Sequence, residues 1–187
     1  MPWQAVWTDS LNALTQGQKE ENVRIIYSYF HNRGWNDNPI AAMLGNMELE
    51  GQMNPAQWEN GYGVYGRGFG LSQWTPYTKL SDFLGSGWET NYTGQLDRIN
   101  WEAQPENEGV QWVPISSYNN YTFQQFAHDT THTLLWLVEC YEYCYERGTP
   151  DIQRRYQFAQ QWLTFIQSIK TRGKMPIWMM CKPYWKR

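Results

Sequence analysis

A carboxylate at the end of an otherwise apolar helix is the feature that most restricts how this chain can fold. The run from Asn38 to Gly51 predicts a short helix, with Asn38 as N-cap and Pro39 at the first helical position, where its missing N–H would be unpaired in any case. Ile40, Met43, Leu44 and Met47 fall on one face at helical spacing, so the helix is expected to pack against a core. Glu50 continues that stripe three residues after Met47, and Gly51 suits the left-handed position that ends a helix. A helix C-terminus and partial burial both disfavour a negative charge. They are therefore expected to push the pKa of Glu50 up, as a general acid working near neutral pH requires. Spacing alone leaves open a plainer reading, in which Glu50 only caps or salt-bridges a helix end.

The next segment narrows the choice. Five glycines, Gly61, Gly63, Gly66, Gly68 and Gly70, alternate with Tyr62, Val64, Tyr65 and Phe69. This pattern predicts an irregular hairpin or small β excursion, in which glycines permit positive φ or close approach of another chain. No Gly-Lys-Ser/Thr follows, so the run is not a phosphate loop. An open, aromatic-rich glycine loop beside a perturbed acid suits a polymeric sugar better than a nucleotide, although a tight hairpin with core aromatics fits the composition equally well.

Composition excludes other classes. At 187 residues the chain fits one domain with a sizeable core, and its net charge of −3 disfavours nucleic-acid binding by the body of the protein. The 12 Trp and 13 Tyr supply core filling and flat surfaces on which sugar rings can lie. The N-terminus lacks the basic start and apolar core of a secretory signal, and no apolar run approaches membrane-spanning length. Cys140, Cys144 and Cys181 do not form an even disulfide framework, and the first two, one helical turn apart, read as reduced apolar residues. His128 and His132 are four apart but lack the intervening Glu of a His-Glu-x-x-His site and an obvious third ligand, so neither metal nor cofactor is implied. No Gly-x-Ser-x-Gly elbow is present.

Further helices are expected over about 18–33, 91–103 and 129–145, with a short one lined by Leu80, Phe83 and Leu84 and a last one carrying Ile152, Tyr156, Ala159, Leu163 and Ile166 inward. Residues 104–121 read as a long polar surface loop able to border a cleft.

Several of these pieces together resemble the bacteriophage tail lysozyme family. They are Gly45-Asn46-Met47-x-x-Glu50, Asn54-Pro55 and Gly68-Phe69-Gly70-Leu71-x-Gln73-Trp74-Thr75-Pro76, followed by Arg98-Ile99-x-Trp101-Glu102 and Tyr145-Glu146-Arg147. The resemblance spans about residues 20–165. It departs from the family in Gly51, where a small polar residue is common, and in Gly148, where proline is common. The resemblance implies a mainly α, lysozyme-like (α+β) fold: a helical domain over 18–170, with a small β or irregular lobe near 58–75 bordering a substrate cleft. Residues 1–17 are then a leader and 171–187 a basic aromatic tail. It further implies an enzyme that cuts the glycan strands of bacterial peptidoglycan, carried in the virion by a phage tail beside other tail proteins.

By that resemblance Glu50 is the general acid. Glycoside hydrolysis usually uses a second carboxylate, for which Glu59 and Glu102 are the leading candidates and Glu48 and Asp97 weaker ones. Gln73, Tyr62, Phe69 and Trp74 are the expected substrate-binding residues. Two rivals remain: a lytic transglycosylase acting on the same strands, and an inactive lysozyme fold serving as a structural or wall-binding module of the tail.

Overall fold

The computed structural model of the chain describes residues 2–148 and 150–173. Seven α-helices dominate the described residues: α1 (Gln16–His31), α2 (Asp37–Glu50), α3 (Thr78–Leu84), α4 (Tyr92–Glu102), α5 (Phe123–Ala127), α6 (Leu134–Tyr141) and α7 (Ile152–Gly173). The fold is mainly α, as expected. None of these helices is long and apolar enough to cross a membrane. Cys181 and the tail beyond residue 173 lie outside the described residues.

The molecule is built around α2. Ile40, Ala41, Ala42, Met43, Leu44 and Met47 are all fully buried, which a one-sided stripe does not require. The small residues between the large ones explain it. A Cβ on Gly45 would lie 2.5 Å from the Arg155 carbonyl oxygen and 2.7 Å from the Ala159 Cβ, so only glycine lets α7 cross this closely. With α6 packed on another side, α2 is buried from Pro39 to Glu48 and reaches the surface only at its two ends.

Three local expectations are corrected. The N-cap of α2 is Asn36, two residues earlier than Asn38. The Asn36 side chain donates to the His128 carbonyl (2.8 Å) rather than capping its own helix, and Pro39 still falls in the first turn, where no intrahelical acceptor is lost. Gly51 is not left-handed: its φ is −102°, and the positive φ values fall on Gln52 (51°) and Met53 (58°). Glycine is needed at 51 because a Cβ there would sit 2.5 Å from the Gly70 carbonyl oxygen, where the lobe closes on the helix end. The third correction concerns α6, which begins at Leu134, not near residue 129. Asp129 instead folds a turn, accepting from the backbone N–H of Thr131 (2.9 Å) and His132 (2.8 Å), and Thr133 becomes the N-cap. After Tyr141 the helix widens into one π-helical turn, Glu142–Glu146.

The segment over 51–77 is an irregular lobe whose β content is limited to isolated bridges, Trp58 to Phe69 and Phe69 to Trp74, with a parallel bridge from Gln57 to Thr8. Aromatic packing takes the place of a sheet. Trp58 and Phe69 have centroids 4.8 Å apart, and Trp88 meets Phe69 at 5.0 Å and stacks on Tyr77 at 5.4 Å. Gln95 of α4 ties the lobe down, accepting from Leu71 N–H (3.0 Å) and donating to the Pro55 carbonyl (2.7 Å). The N-terminal residues pack along the same region, where Asn54 pairs through its side chain with both backbone groups of Val6. Residues 104–121 are less of a surface loop than their polarity predicts. Trp112 is fully buried and stacks on Phe123 at 4.6 Å.

Candidate active site

The end of α2, the lobe and the turn after α6 enclose a cleft of about 530 Å³. Its lining includes Glu50, Gln57, Trp58, Glu59, Gln73, Trp74, Lys79, Gln111, Glu146, Arg147 and Gly148, and the leader adds Asp9 and Leu11. Glu50 reaches this space because the enclosed helix delivers its last residue there. Its side chain is 25% exposed and accepts from Arg155 Nη2 at 2.6 Å.

Arg155 organises the acid side of the cleft. It is almost completely buried on α7, and its Nη1 donates to both the backbone and side-chain oxygens of Asn46 (3.3 and 3.2 Å). Its Nε lies 3.0 Å from Glu142 Oε2, an ion-pair contact whose angle does not make it a hydrogen bond. The Gly45-Asn46-x-x-x-Glu50 spacing therefore has a physical meaning. Gly45 lets α7 approach, Asn46 seats the guanidinium, and Glu50, one turn further on, receives it. The apolar surroundings expected for Glu50 thus include a cation that the α2 stripe does not reveal.

Two more carboxyls share this corner. Glu142 is buried, and burial raises its pKa, against the pull of Arg155 and with a further push from Glu50. Glu146 lines the cleft, half-buried, with its Oε1 buried and without a hydrogen-bond partner among the described residues. Burial holds the pKa of Glu146 well above the ordinary glutamate range, and the charge of Glu50 adds to the rise.

The other expected residues separate clearly. Glu59 lies in the cleft at the lobe, its carboxylate accepting from Gly68 N–H (2.9 Å) and 3.5 Å from Arg67. Glu102 does not line the cleft. It is buried in an ion pair with Arg98 Nε (2.7 Å) and accepts from the Tyr145 hydroxyl (2.6 Å). Glu48 pairs with Lys19 at 2.5 Å on another side of α2, and Asp97 accepts from the Tyr29 hydroxyl at the surface. Gln73 lines the cleft with φ at 43°, and its amide nitrogen donates to the Gln57 and Gly70 carbonyls, so half of its polar end stabilises the lobe. Trp74 borders the cleft although it is nearly buried. Phe69 is fully buried in the aromatic cluster, and Tyr62 is 48% exposed beyond the cleft, stacked on Trp7 at 6.1 Å. The histidines serve turns: His128 Nδ1 meets the Gly34 carbonyl at 2.9 Å and His132 Nδ1 meets Asp129 at 2.7 Å.

An enclosed helix ending in an acid at a polar, aromatic-edged cleft, across from an irregular lobe, is the arrangement of a lysozyme-like glycosidase domain. The family model for phage tail lysozymes matches residues 21–166, and the chain belongs to that family. It is also 35% identical over 164 residues to morphogenesis protein 1 of Bacillus phage B103, a match covering 86% of this chain and 43% of that protein. The chain thus spans less than half the length of this curated relative. Asp9 and Leu11, which also line the cleft, precede the part matched by the family model.

Proposed function

We propose that this chain hydrolyses the glycan strand of bacterial peptidoglycan between N-acetylmuramic acid and N-acetylglucosamine, with Glu50 as general acid. In this reading it is carried by a phage tail and opens the host wall during infection. The observation that carries the proposal is the position of Glu50. It is the one residue of the enclosed helix delivered into the cleft, held at 2.6 Å by a buried arginine whose own seat is built from the same helix.

The chemistry follows from the surroundings. Trp58 and Trp74, nearly buried, back the cleft with apolar surface, while exposed Asn60 and the amide oxygen of Gln73 offer hydrogen bonds to hydroxyl and acetamido groups. Glu50 delivers a proton to the glycosidic oxygen as the C–O bond breaks. Cleft dipoles and a carboxylate stabilise the oxocarbenium-like centre, and water adds to the anomeric carbon. Glu59, on the lobe, is the expected carboxylate that already lines the cleft.

The test compares wild type with Glu50→Gln on purified peptidoglycan, with mass spectrometry of the released fragments. Loss of a general acid lowers the rate by about 10²- to 10⁴-fold, and reducing sugar ends are expected from the wild type. Equal release by both proteins would remove Glu50 from the chemistry. Anhydro ends would make the enzyme a transglycosylase. Wall binding with no fragments from either protein would favour a structural module.

A further inference from the structure

A general acid that must carry a proton, yet faces a guanidinium at 2.6 Å, poses a difficulty. The corner around Glu50 resolves it. Glu50 and Glu142 flank the buried Arg155 guanidinium, and Glu146 lines the same cleft as Glu50 and feels the charges of all three. A Cβ placed on Gly148 would lie 4.0 Å from Glu50 Oε1, 4.0 Å from Arg155 Nη2 and 3.7 Å from Glu142 Oε1, so the chain just after Glu146 closes directly over this group. Glu142 is sealed off from solvent, whereas Glu146 faces the same cleft as Glu50 and presents a buried oxygen with no hydrogen-bond partner among the described residues.

We propose that Glu146 is the second carboxyl of the acid site and that Glu50 and Glu146 hold one proton between them in the resting enzyme. The proposal rests on the glycosidase reading above. Two like charges in one confined corner cannot both be expressed cheaply, so the pair retains a proton. In the reaction that proton passes to the glycosidic oxygen as its bond to the anomeric carbon breaks, and both carboxyls are then ionised. Arg155 offsets the added charge during this interval. Water adds to the anomeric carbon and gives up one proton, which returns to the pair, so the site ends as it began.

The groups that bear on Glu146 come from every neighbouring element. Glu50 of α2, Glu142 of the π turn and Glu102 of α4 raise its proton affinity, and Arg155 of α7 lowers it. Lys79 of α3 and Arg147 share the cleft lining with it. Burial and the charges of Arg147 and Arg98 depress the pKa of Lys79, which weakens it as a competing partner for the carboxyl.

The deciding measurement is a ¹³C NMR titration of the Glu146 side-chain carboxyl, assigned through bonds in the wild-type protein and repeated in Glu50→Gln. The expected result is a wild-type midpoint above the ordinary glutamate range that falls when the Glu50 charge is removed. A midpoint in the ordinary range, or one indifferent to Glu50→Gln, overturns the proposal. This readout needs no turnover, so it is separable from failure of the glycosidase reading, which would appear as equal fragment release by wild type and Glu50→Gln. On peptidoglycan, Glu146→Gln is expected to lower release by about 10²-fold and to shift the pH profile, with Glu146→Asp recovering part of both. A profile of unchanged shape in Glu146→Gln would reduce Glu146 to a structural role and overturn the proposal.

Discussion

Two buried arginine–glutamate centres flank the π-helical turn, and they are built to opposite ends. In the Arg98 centre, Glu102 accepts from Arg98 on one oxygen and from Tyr145 on the other, so both lone-pair sets are used and the group is closed to solvent. The Arg155 centre pairs with Glu50 and Glu142, has Glu146 beside it with an Oε1 that lacks a partner among the described residues, and opens to the cleft through Glu50 and Glu146. Burial raises the proton affinity of Glu102 and of Glu146 alike. Burial therefore does not distinguish an acid that holds the fold from one fitted for chemistry. Partner count and access do. A saturated carboxyl has nothing left to offer a substrate, while an underpaired one at a cleft has both a proton and a free oxygen.

Breaking the open centre should produce the largest effect. Arg155→Met leaves Glu142 and Glu50 without their cation, which is expected to destabilise the fold by about 3–5 kcal/mol in urea unfolding and to abolish fragment release. Arg155→Lys keeps the charge but loses the planar fork that serves Asn46 and Glu50 together, so it should recover part of the stability and little of the activity. Equal stability of Arg155→Met and wild type would show that the three carboxyls do not depend on the guanidinium.

The closed centre should respond differently. Glu102→Ala strands Arg98 and the Tyr145 hydroxyl in the interior, so a loss of about 3 kcal/mol is expected in the same unfolding measurement. Release per folded molecule should stay within about threefold of wild type, since Glu102 does not line the cleft. A large fall in turnover with little loss of stability would make the two centres functionally alike and break the contrast between them.

How far this contrast could be read in advance depends on where each signal lies. The helices carrying apolar stripes were legible, as was Glu50, because a charge on an apolar helix face is conspicuous. Arg155 carries the same signal. It stands three residues after Ile152 and four before Ala159, on the stripe that packs α7 inward, and the two charges that interrupt two apolar stripes answer each other. Glu142 and Glu146 likewise follow Val138 at steps of four along the most apolar helix. What spacing along one helix cannot show is which interruptions meet. Glu59 is a candidate second carboxylate by its place in the loop after Glu50, and Glu102 by the Trp101-Glu102 pair of the resemblance. The cleft includes one and the Arg98 pair consumes the other. The lobe was legible as a small β or irregular segment, and it is the irregular form that the chain adopts: alternating aromatics here pack on one another, with only isolated bridges. Asp9 and Leu11 enter the cleft from the leader through the bridge between Thr8 and Gln57, a contact with no sequence signature.

The finest probe of the open centre is the pH dependence of stability, where the expected effect is smallest and the sign is informative. The folded-state pKa of Glu146 lies above its unfolded value, chiefly through burial and then through the charge of Glu50. Such a group contributes stability that is fully present below the unfolded pKa, about 4.3, and is lost as pH rises through the folded value. Glu146→Gln cannot ionise, so that loss is absent from the variant. Glu142 and Glu102 are also raised by burial, but they titrate in both proteins and largely cancel in the difference. The Tm of Glu146→Gln relative to wild type is therefore expected to increase between pH 4 and pH 8, as read by thermal melts followed by circular dichroism. A difference that is flat across that range would mean that Glu146 is no harder to ionise in the fold than in the open chain. A difference that decreases with pH would mean that a cation in the cleft satisfies Glu146, and the Arg155 centre would then be as closed as that of Arg98.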